Sequence, residues 1–370
     1  MHQIATSAGK AQNDSMRGGH VRKAADKCDL SAANDWTRQL SRPLRGAKWL
    51  MIVFFGDSND DAAWSKGCHN VSRHSLVNLT HEDFPTWRSG PWYFKPISAP
   101  KYCDPAPYVR LVLLRHFGVL NKNETALYPS MHSACLHFFM ESHLPHNAPA
   151  VELPSKSSPR ADAALALNGP YDAIDMAEHV LPVVVRKLMP TFDTPRSGFV
   201  FVSTQSSLWD VMCSQGRFCH PRRACRGTTF SLSQQQASAN DSIAYANHLH
   251  TVWASRIEAF MNATVASLVS LRLPFSVVYK RTPPRPCWES RSFRDGWLYR
   301  FIPIMNQVAS SVVERIPGVG VIDWQECGYC SNGCPWQGTN ASVCSVHHPS
   351  SSHQMLLHEV SQRISLQHDK

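Results

Sequence analysis

The chain has no uninterrupted apolar run of the roughly 18 residues that a membrane-spanning helix needs, so the sequence predicts no transmembrane segment. Residues 1–40 are polar, and no apolar stretch typical of a secretory signal peptide is visible there. Lys and Arg are scattered, with dense basic sequence confined to Arg217–Arg223. Despite a net charge of +9, this distribution does not favour a nucleic-acid partner.

Cysteines and Asn-X-Ser/Thr sequons, in contrast, are abundant. The chain contains 12 cysteines, and the sequons are more frequent than random placement would produce. Glycosylation and disulfide pairing both belong to the secretory pathway. We therefore expect a glycoprotein that is secreted or resides in the lumen of the Golgi or endoplasmic reticulum, with its true N-terminus upstream of Met1. The sequon asparagines are Asn13, Asn70, Asn78, Asn123, Asn240, Asn262 and Asn340.

The most informative stretch is the apolar run Trp49–Phe55, which leads directly into Gly56-Asp57-Ser58. An apolar run without polar interruptions predicts a strand that is buried on both faces. In an open α/β sheet, ligands bind at the carboxyl ends of the strands. Ser58 is therefore predicted to lie at a ligand-binding edge, with the alternative that it merely caps the following helix.

Apolar runs of this kind alternate with helical patterns along the chain. Parallel neighbouring strands need helical crossovers, so the alternation predicts an α/β fold with a doubly wound, five-stranded, mostly parallel sheet and Cys-rich loops. A single domain over residues 42–370 is expected to follow a polar segment, residues 1–41, that is disordered or a stem. The runs are Trp49–Phe55, Val109–Arg115, Phe199–Ser203, Phe275–Tyr279 and Val319–Asp323.

A cluster of cysteines, Cys327, Cys330, Cys334 and Cys344, follows the last of these runs. Thiolates at such short spacings, with the histidines beyond them, can close a tetrahedral zinc site. In a chain rich in sequons and cysteines, disulfides are the favoured interpretation, and no metal is predicted. A cytosolic location would reverse that preference.

Four short blocks follow the strands: Gly56-Asp57-Ser58, Gly118, Ser206-Ser207-Leu208-Trp209-Asp210 and His348-Pro349-Ser350. Their order resembles the SGNH (GDSL) hydrolase superfamily. Together with the Val-Tyr-Lys-Arg-Thr-Pro-Pro and Val-Ile-Asp-Trp segments, the pattern is most similar to its PC-esterase branch, which includes trichome-birefringence-like and sialate acetyltransferase-type proteins. The resemblance spans about Trp49 to Ile364.

The resemblance implies acyl transfer through a covalent acyl-serine, without a cofactor. Ser58 would be the nucleophile and His348 the base, since a serine hydroxyl needs a base to become a good nucleophile. The oxyanion hole would comprise the backbone N–H groups of Ser58 and Gly118 and the side-chain amide of Gln205. The implied substrates are glycans or other O-acylated molecules, and the choice between hydrolase and transferase stays open.

Other residues of the blocks and of the strand ends are expected to contact the substrate or to support those that do. Arg281, after the fourth run, can hold an acceptor with its guanidinium, or else form an ion pair with Asp210 or Asp323. The residues in this group are Asp57, Trp209, Asp210, Arg281 and Asp323.

The sequence departs from the family at two positions. Gln205 stands where the family has an asparagine, which lengthens the amide-bearing side chain by one methylene. The family acid three residues before the histidine is missing, because Ser345 precedes His348 and Cys344 precedes His347 at that distance. Neither side chain can supply the charge that orients and stabilises an imidazolium.

These departures leave three explanations open. The protein works with a Ser-His dyad, it recruits another carboxylate such as Asp323 or Glu326, or it is catalytically degenerate. In the last case the domain is expected to bind a glycan or a protein partner, for example through the aromatic segment Trp87–Phe94.

Overall fold

The computed structural model describes residues 36, 47–69, 71, 74–84, 99–116, 118–119, 173–189, 198–206, 210, 246–282, 301–323 and 350–368. Within these ranges the protein has a mixed α/β fold built on a seven-stranded sheet. None of the helices in the described ranges is both long and apolar enough to cross a membrane.

The strands lie in the order β2-β3-β4-β1-β5-β6-β7 across the sheet. Strand β1 is the central one, with parallel neighbours β4 and β5, and β6 and β7 continue the parallel arrangement. Strands β2 and β3 extend the other side in antiparallel register. The bounds are β1 Trp49–Gly56, β2 Ser75–Leu76, β3 Lys101–Ala106, β4 Val109–Arg115, β5 Gly198–Thr204, β6 Phe275–Lys280 and β7 Val319–Ile322.

All five predicted runs are strands, but the predicted count of five strands is wrong, since β2 and β3 are additional. Strand β2 has two residues, and β3 contains Lys101, Asp104 and Pro105. Such segments do not form an apolar run, because an antiparallel edge is covered on fewer sides than a central parallel strand. The mixed α/β class is confirmed.

Helices follow most of the parallel strands. Helix α1 comes directly after β1. A π-helical turn, Met176–Val180, precedes α2, and another, Leu249–Trp253, precedes α3. The bounds are α1 Ser58–Gly67, α2 Leu181–Leu188, α3 Ala254–Ser270, α4 Ile302–Val313 and α5 Ser350–His368. At Ser58, the first residue of α1, the structure describes the backbone.

Alternate side chains of β1 belong to two separate apolar layers. Met51, Val53 and Phe55 pack in the layer that includes residues of α2, α3 and α4. Ile52 and Phe54 pack in the layer that includes residues of α1 and α5. Both sides of β1 are therefore covered, which explains why its sequence contains no polar alternation.

Cys68, the C-cap of α1, and Cys103 of β3 form a disulfide with a Cα–Cα distance of 6.0 Å. Both residues are buried in the same apolar layer as Trp36. The disulfide therefore connects the end of the helix after β1 to the antiparallel side of the sheet. Trp36 belongs to residues 1–41, the segment predicted to precede the domain. The boundary between that segment and the domain stays a prediction.

Candidate functional site

Three predicted segments meet at the carboxyl edge of the sheet, where β1, β4 and β5 end side by side. The backbone N–H of His116, after β4, donates to the Gly56 carbonyl at 2.9 Å. The N–H of Gln205, after β5, donates to the Phe55 carbonyl at 3.3 Å. The chain places β4 on one side of β1 and β5 on the other, so the strand order reverses at β1, and we call this place the switch point of the sheet.

Asp57 holds the turn between β1 and α1. One carboxylate oxygen accepts a hydrogen bond from the backbone N–H of Asn59 at 2.8 Å, so the N-cap is Asp57 and not Ser58. The other oxygen accepts from Nε2 of Gln205, also at 2.8 Å. Asp57 is 2% exposed. Because it is buried and bonded on both oxygens, Asp57 supports the turn rather than facing a substrate.

Ser58 is the first residue of α1. The N–H groups of the first helical turn have no acceptor within the helix, and together they carry the positive end of the helix dipole. Asp57 Oδ1 satisfies the N–H of Asn59. The backbone of Ser58 thus lies at a place that favours negative charge on an approaching group.

A buried ion pair lies next to this turn. Nζ of Lys280, the last residue of β6, contacts Oδ1 of Asp60 in the first turn of α1, and both side chains are fully buried. Burial raises the pKa of Asp60 to about 6; the Lys280 ammonium opposes the rise and the Asp57 charge adds to it. A β-carbon on Gly56 would collide with the Asp60 carboxylate, which explains the glycine of the Gly-Asp-Ser block.

His116 connects the ends of β4 and β5. Its Nδ1 accepts a hydrogen bond from the N–H of Gly118 at 3.1 Å, so its Nε2 carries the proton and donates to the Gln205 carbonyl at 2.7 Å. The ring also packs edge-on against Phe55. Burial lowers the pKa of His116 to about 4, although the nearby Asp57 charge opposes this. The imidazole is therefore neutral at physiological pH.

This neutral histidine predicts acid sensitivity. In the unfolded chain His116 is protonated below its ordinary pKa of 6.5, whereas in the folded protein it stays neutral until about pH 4. Because the unfolded state binds the extra proton, His116 lowers the free energy of unfolding by roughly 3 kcal/mol as the pH falls through this range. Urea unfolding of wild type and His116→Gln at several pH values measures it. The glutamine variant is expected to lose less stability on acidification, and identical slopes would contradict the assignment.

The two predicted oxyanion donors beside Ser58 both have acceptors within the protein. The N–H of Gly118 donates to His116, and Nε2 of Gln205 donates to Asp57. Gln205 is fully buried, and its Oε1 has no hydrogen-bond partner among the described residues. The structure thus brings the three predicted oxyanion residues to one edge, with Gly118 and Gln205 engaged in internal hydrogen bonds.

Asp210 joins three segments behind this edge. Its Oδ1 accepts from the N–H of Val119 at 2.9 Å, and its Oδ2 accepts from Oγ of Ser206 at 2.6 Å and from Nε1 of Trp253 at 2.8 Å. The Tyr279 hydroxyl donates to the Ser206 carbonyl at 2.9 Å, and burial raises the pKa of that hydroxyl. Asp210 is 1% exposed, so it supports the loops after β4 and β5.

Gly118 is required by the same arrangement. Its φ of +98° lies in the left-handed region that side chains disfavour, and a β-carbon there would collide with the Asp210 carboxylate. The glycine that the sequence pattern singled out is therefore explained by backbone conformation and by the position of Asp210.

Arg281 and Asp323 lie farther along the edge, after β6 and β7. A guanidinium nitrogen of Arg281 is 3.1 Å from the Asp323 carboxylate, and its Nε donates to Oγ of Ser310 at 2.8 Å. Of the two ion-pair partners considered for Arg281, Asp323 is the one it contacts. Both side chains are exposed, at 37% and 70%.

Helix α5 packs against α1. It begins at Ser350, two residues after His348, and Nε2 of His353 lies 3.4 Å from Oδ1 of Asn59 in the first turn of α1. His353 is 3% exposed and was not singled out by the sequence, because a buried helical histidine has no distinctive local pattern.

Several predicted residues lie outside the described residues. They are Trp87–Phe94, Trp209, Glu326, Cys327, Cys330, Cys334, Cys344, Ser345, His347 and His348. Among the residues that the structure does describe, no group of three or more His, Cys, Asp or Glu side chains is arranged to hold a metal ion.

The geometry supports polar chemistry at one edge: a serine backbone at a helix N-terminus, backbone and side-chain amides beside it, and buried groups that hold all of them. Each of these features is seen in the contacts between residues of this chain. Comparison with models of known protein families, with curated proteins and with solved structures found no match.

Proposed function

We propose that the protein is an SGNH-type serine esterase or O-acyltransferase that acts on acyl groups, in particular acetyl groups, of glycans. One observation carries the proposal. The Gly56-Asp57-Ser58 turn lies at the switch point of the sheet, and Gly118 and Gln205 follow the two strands that flank it. These are the residues that the resemblance assigns to the nucleophile and the oxyanion hole.

In the proposed reaction, Oγ of Ser58 attacks the acyl carbonyl carbon while His348 takes the hydroxyl proton. The tetrahedral intermediate expels the sugar oxygen, which receives that proton, and leaves an acyl-serine. Water or another hydroxyl then accepts the acyl group by the reverse sequence of proton transfers. The backbone N–H of Ser58, at the positive end of α1, would stabilise the oxyanion.

Gly118 and Gln205 differ in what each would need in order to donate to the oxyanion. The amide of Gln205 has a second N–H besides the one that it donates to Asp57. The N–H of Gly118 would have to leave His116 Nδ1 before it binds an oxyanion. Because the Gln205 side chain is fully buried, the proposed reaction requires a small movement at the ends of both β4 and β5.

A second candidate function is a catalytically degenerate domain that binds a glycan or a protein. The internal hydrogen bonds favour it, because the N–H of Gly118 and one N–H of the Gln205 amide already have acceptors. The absence of an acidic residue three positions before His348 favours it as well.

We propose further that the protein works outside the cytosol, as a secreted protein or in the lumen of the secretory pathway. The Cys68–Cys103 disulfide supports this, because such bonds persist in oxidising compartments. The sequon asparagines Asn78 and Asn262 are exposed, as glycan attachment requires.

Labelling with a fluorophosphonate probe tests the proposed nucleophile in protein expressed through a secretory pathway. We expect wild type to label and Ser58→Ala not to label. His348→Ala should label at least about 100-fold more slowly than wild type, because general-base assistance is lost. Ser311→Ala and His69→Ala, at exposed positions near the C-terminal ends of α4 and α1, serve as matched controls and should label like wild type.

The outcomes separate the two candidates. A folded wild-type protein that does not label would favour the binding domain. Labelling that persists in Ser58→Ala would place the reactive group elsewhere and overturn the assignment. If the probe labels Ser58, incubation with an acetylated glycan, with and without an acceptor glycan, distinguishes hydrolysis from transfer.

A further inference from the structure

Lys280 makes a long-range connection that the proposed reaction does not itself require. It ends β6, whereas Asp60 belongs to the helix after β1, and β5 lies between these two strands in the sheet. Both side chains are fully buried. Oδ2 of Asp60 has no hydrogen-bond partner among the described residues.

The stability of the fold does not account for such a pair. Removing two charges from water costs several kcal/mol per ion, and replacement of a buried ion pair by apolar residues of similar size is often neutral or stabilising. An ion pair also fixes relative positions, because the ammonium group must stay next to the carboxylate. Here it fixes the position of the first turn of α1, which contains Asp60.

That turn is held from two sides. Asp57, before Ser58, is bonded to Gln205 at the end of β5. Asp60, two residues after Ser58, is paired with Lys280 at the end of β6. The carboxylate of Asp60 also lies against Gly56, where no side chain would fit.

We propose that Lys280, acting through Asp60, is a positioning residue that fixes the first turn of α1 and thereby aims the backbone of Ser58 at the substrate. This inference rests on the proposed acyl-transfer function. It assigns the pair to the geometry of the nucleophile turn rather than to the stability of the fold.

A double-substitution experiment separates these two roles. Asp60→Leu and Lys280→Met each leave one buried group without its partner and are expected to destabilise the protein strongly. The combined variant replaces the pair by apolar side chains of similar size and is expected to recover the unfolding midpoint of wild type. Its rate of fluorophosphonate labelling should nevertheless be about tenfold to 100-fold lower, because small displacements of a reacting group are costly.

The ion pair between the half-buried Arg110 and the exposed Asp104 provides the control. The combined Arg110→Met and Asp104→Leu variant should label at the wild-type rate. A combined Asp60/Lys280 variant that is as stable as wild type and labels equally fast would overturn the proposal. So would a combined variant that stays as unstable as the single ones, since the pair would then serve the fold.

Amide hydrogen exchange provides a readout that does not depend on catalysis. In the stable combined variant, the amides of Asn59 and Asp61, which donate to Asp57 in the first turn of α1, should exchange faster than in wild type, with unchanged protection in the central strands. If wild type does not label, the proposed function fails, and exchange alone decides this inference. Equal protection of Asn59 and Asp61 in the two proteins would then overturn it.

Discussion

Replacing Asp210 with alanine is expected to lower the free energy of unfolding by about 3–5 kcal/mol, because three buried donors lose their acceptor together. The donors are the N–H of Val119, the hydroxyl of Ser206 and the indole N–H of Trp253. They belong to three segments that are distant in the sequence, so no neighbouring group replaces the carboxylate. Urea unfolding followed by tryptophan fluorescence measures the loss.

Two further variants define the origin of this effect. In Asp210→Asn, the amide oxygen can still accept from Ser206 and Trp253, but its NH₂ group would face the N–H of Val119. We therefore expect a smaller loss of about 1–3 kcal/mol. Asp104→Ala removes an exposed carboxylate and should cost about 1 kcal/mol or less. Similar losses for Asp210→Ala and Asp104→Ala would contradict the role assigned to Asp210.

The loss of Asp210 should also reduce probe labelling at Ser58. Gly118 and Ser206 belong to the loops that Asp210 connects, and these loops line the edge where Ser58 lies. Asp210 is itself buried, so it acts on the reaction through the positions of these loops. Compared with wild type, labelling of the Asp210→Asn variant should fall less than labelling of the Asp210→Ala variant.

Removal of the Cys68–Cys103 disulfide is expected to lower the free energy of unfolding by about 4 kcal/mol. The bond closes a loop with a sequence separation of 35, and this is the magnitude that loop-closure entropy in the unfolded chain provides. The measurement compares the unfolding midpoints of wild type and the Cys68→Ala/Cys103→Ala variant, both under oxidising conditions.

Burial adds a kinetic expectation to this prediction. Both cysteines lie within an apolar layer, so a mild reductant should not open the bond in the folded protein, whereas it should do so in urea. Wild type and the double-alanine variant, both unfolded in urea with the same reductant, should then be equally stable. An unchanged midpoint in the variant would show that the disulfide does not contribute to the stability of this fold.

Much of the central sheet could be predicted from the sequence. The runs at Trp49–Phe55 and Val109–Arg115 became β1 and β4 with nearly the predicted bounds. Strands that are covered on both faces must be apolar throughout, so their signal is local. The short β2 and the polar β3 have no such signal, because β3 depends on pairing with β4, and β2 on pairing with β3.

The candidate site was predicted only in part. Gly118 and Gln205 lie beside the Gly56–Ser58 turn, as expected for the carboxyl ends of adjacent parallel strands. The pattern did not reveal His116, which determines where the N–H of Gly118 points. A histidine after a strand is locally unremarkable, and its role arises from contacts with another strand.

The sequence by itself determined the strands of the central sheet and the residues that end them, because an apolar run and a terminal glycine are properties of neighbouring residues. Only the tertiary structure decided which polar groups hold that edge together. Lys280 and Asp60 are separated by 220 residues, and Asp57 and Gln205 by 148. Such pairs form because the fold buries both groups together, and a buried charge or amide must find its partner wherever the chain brings one.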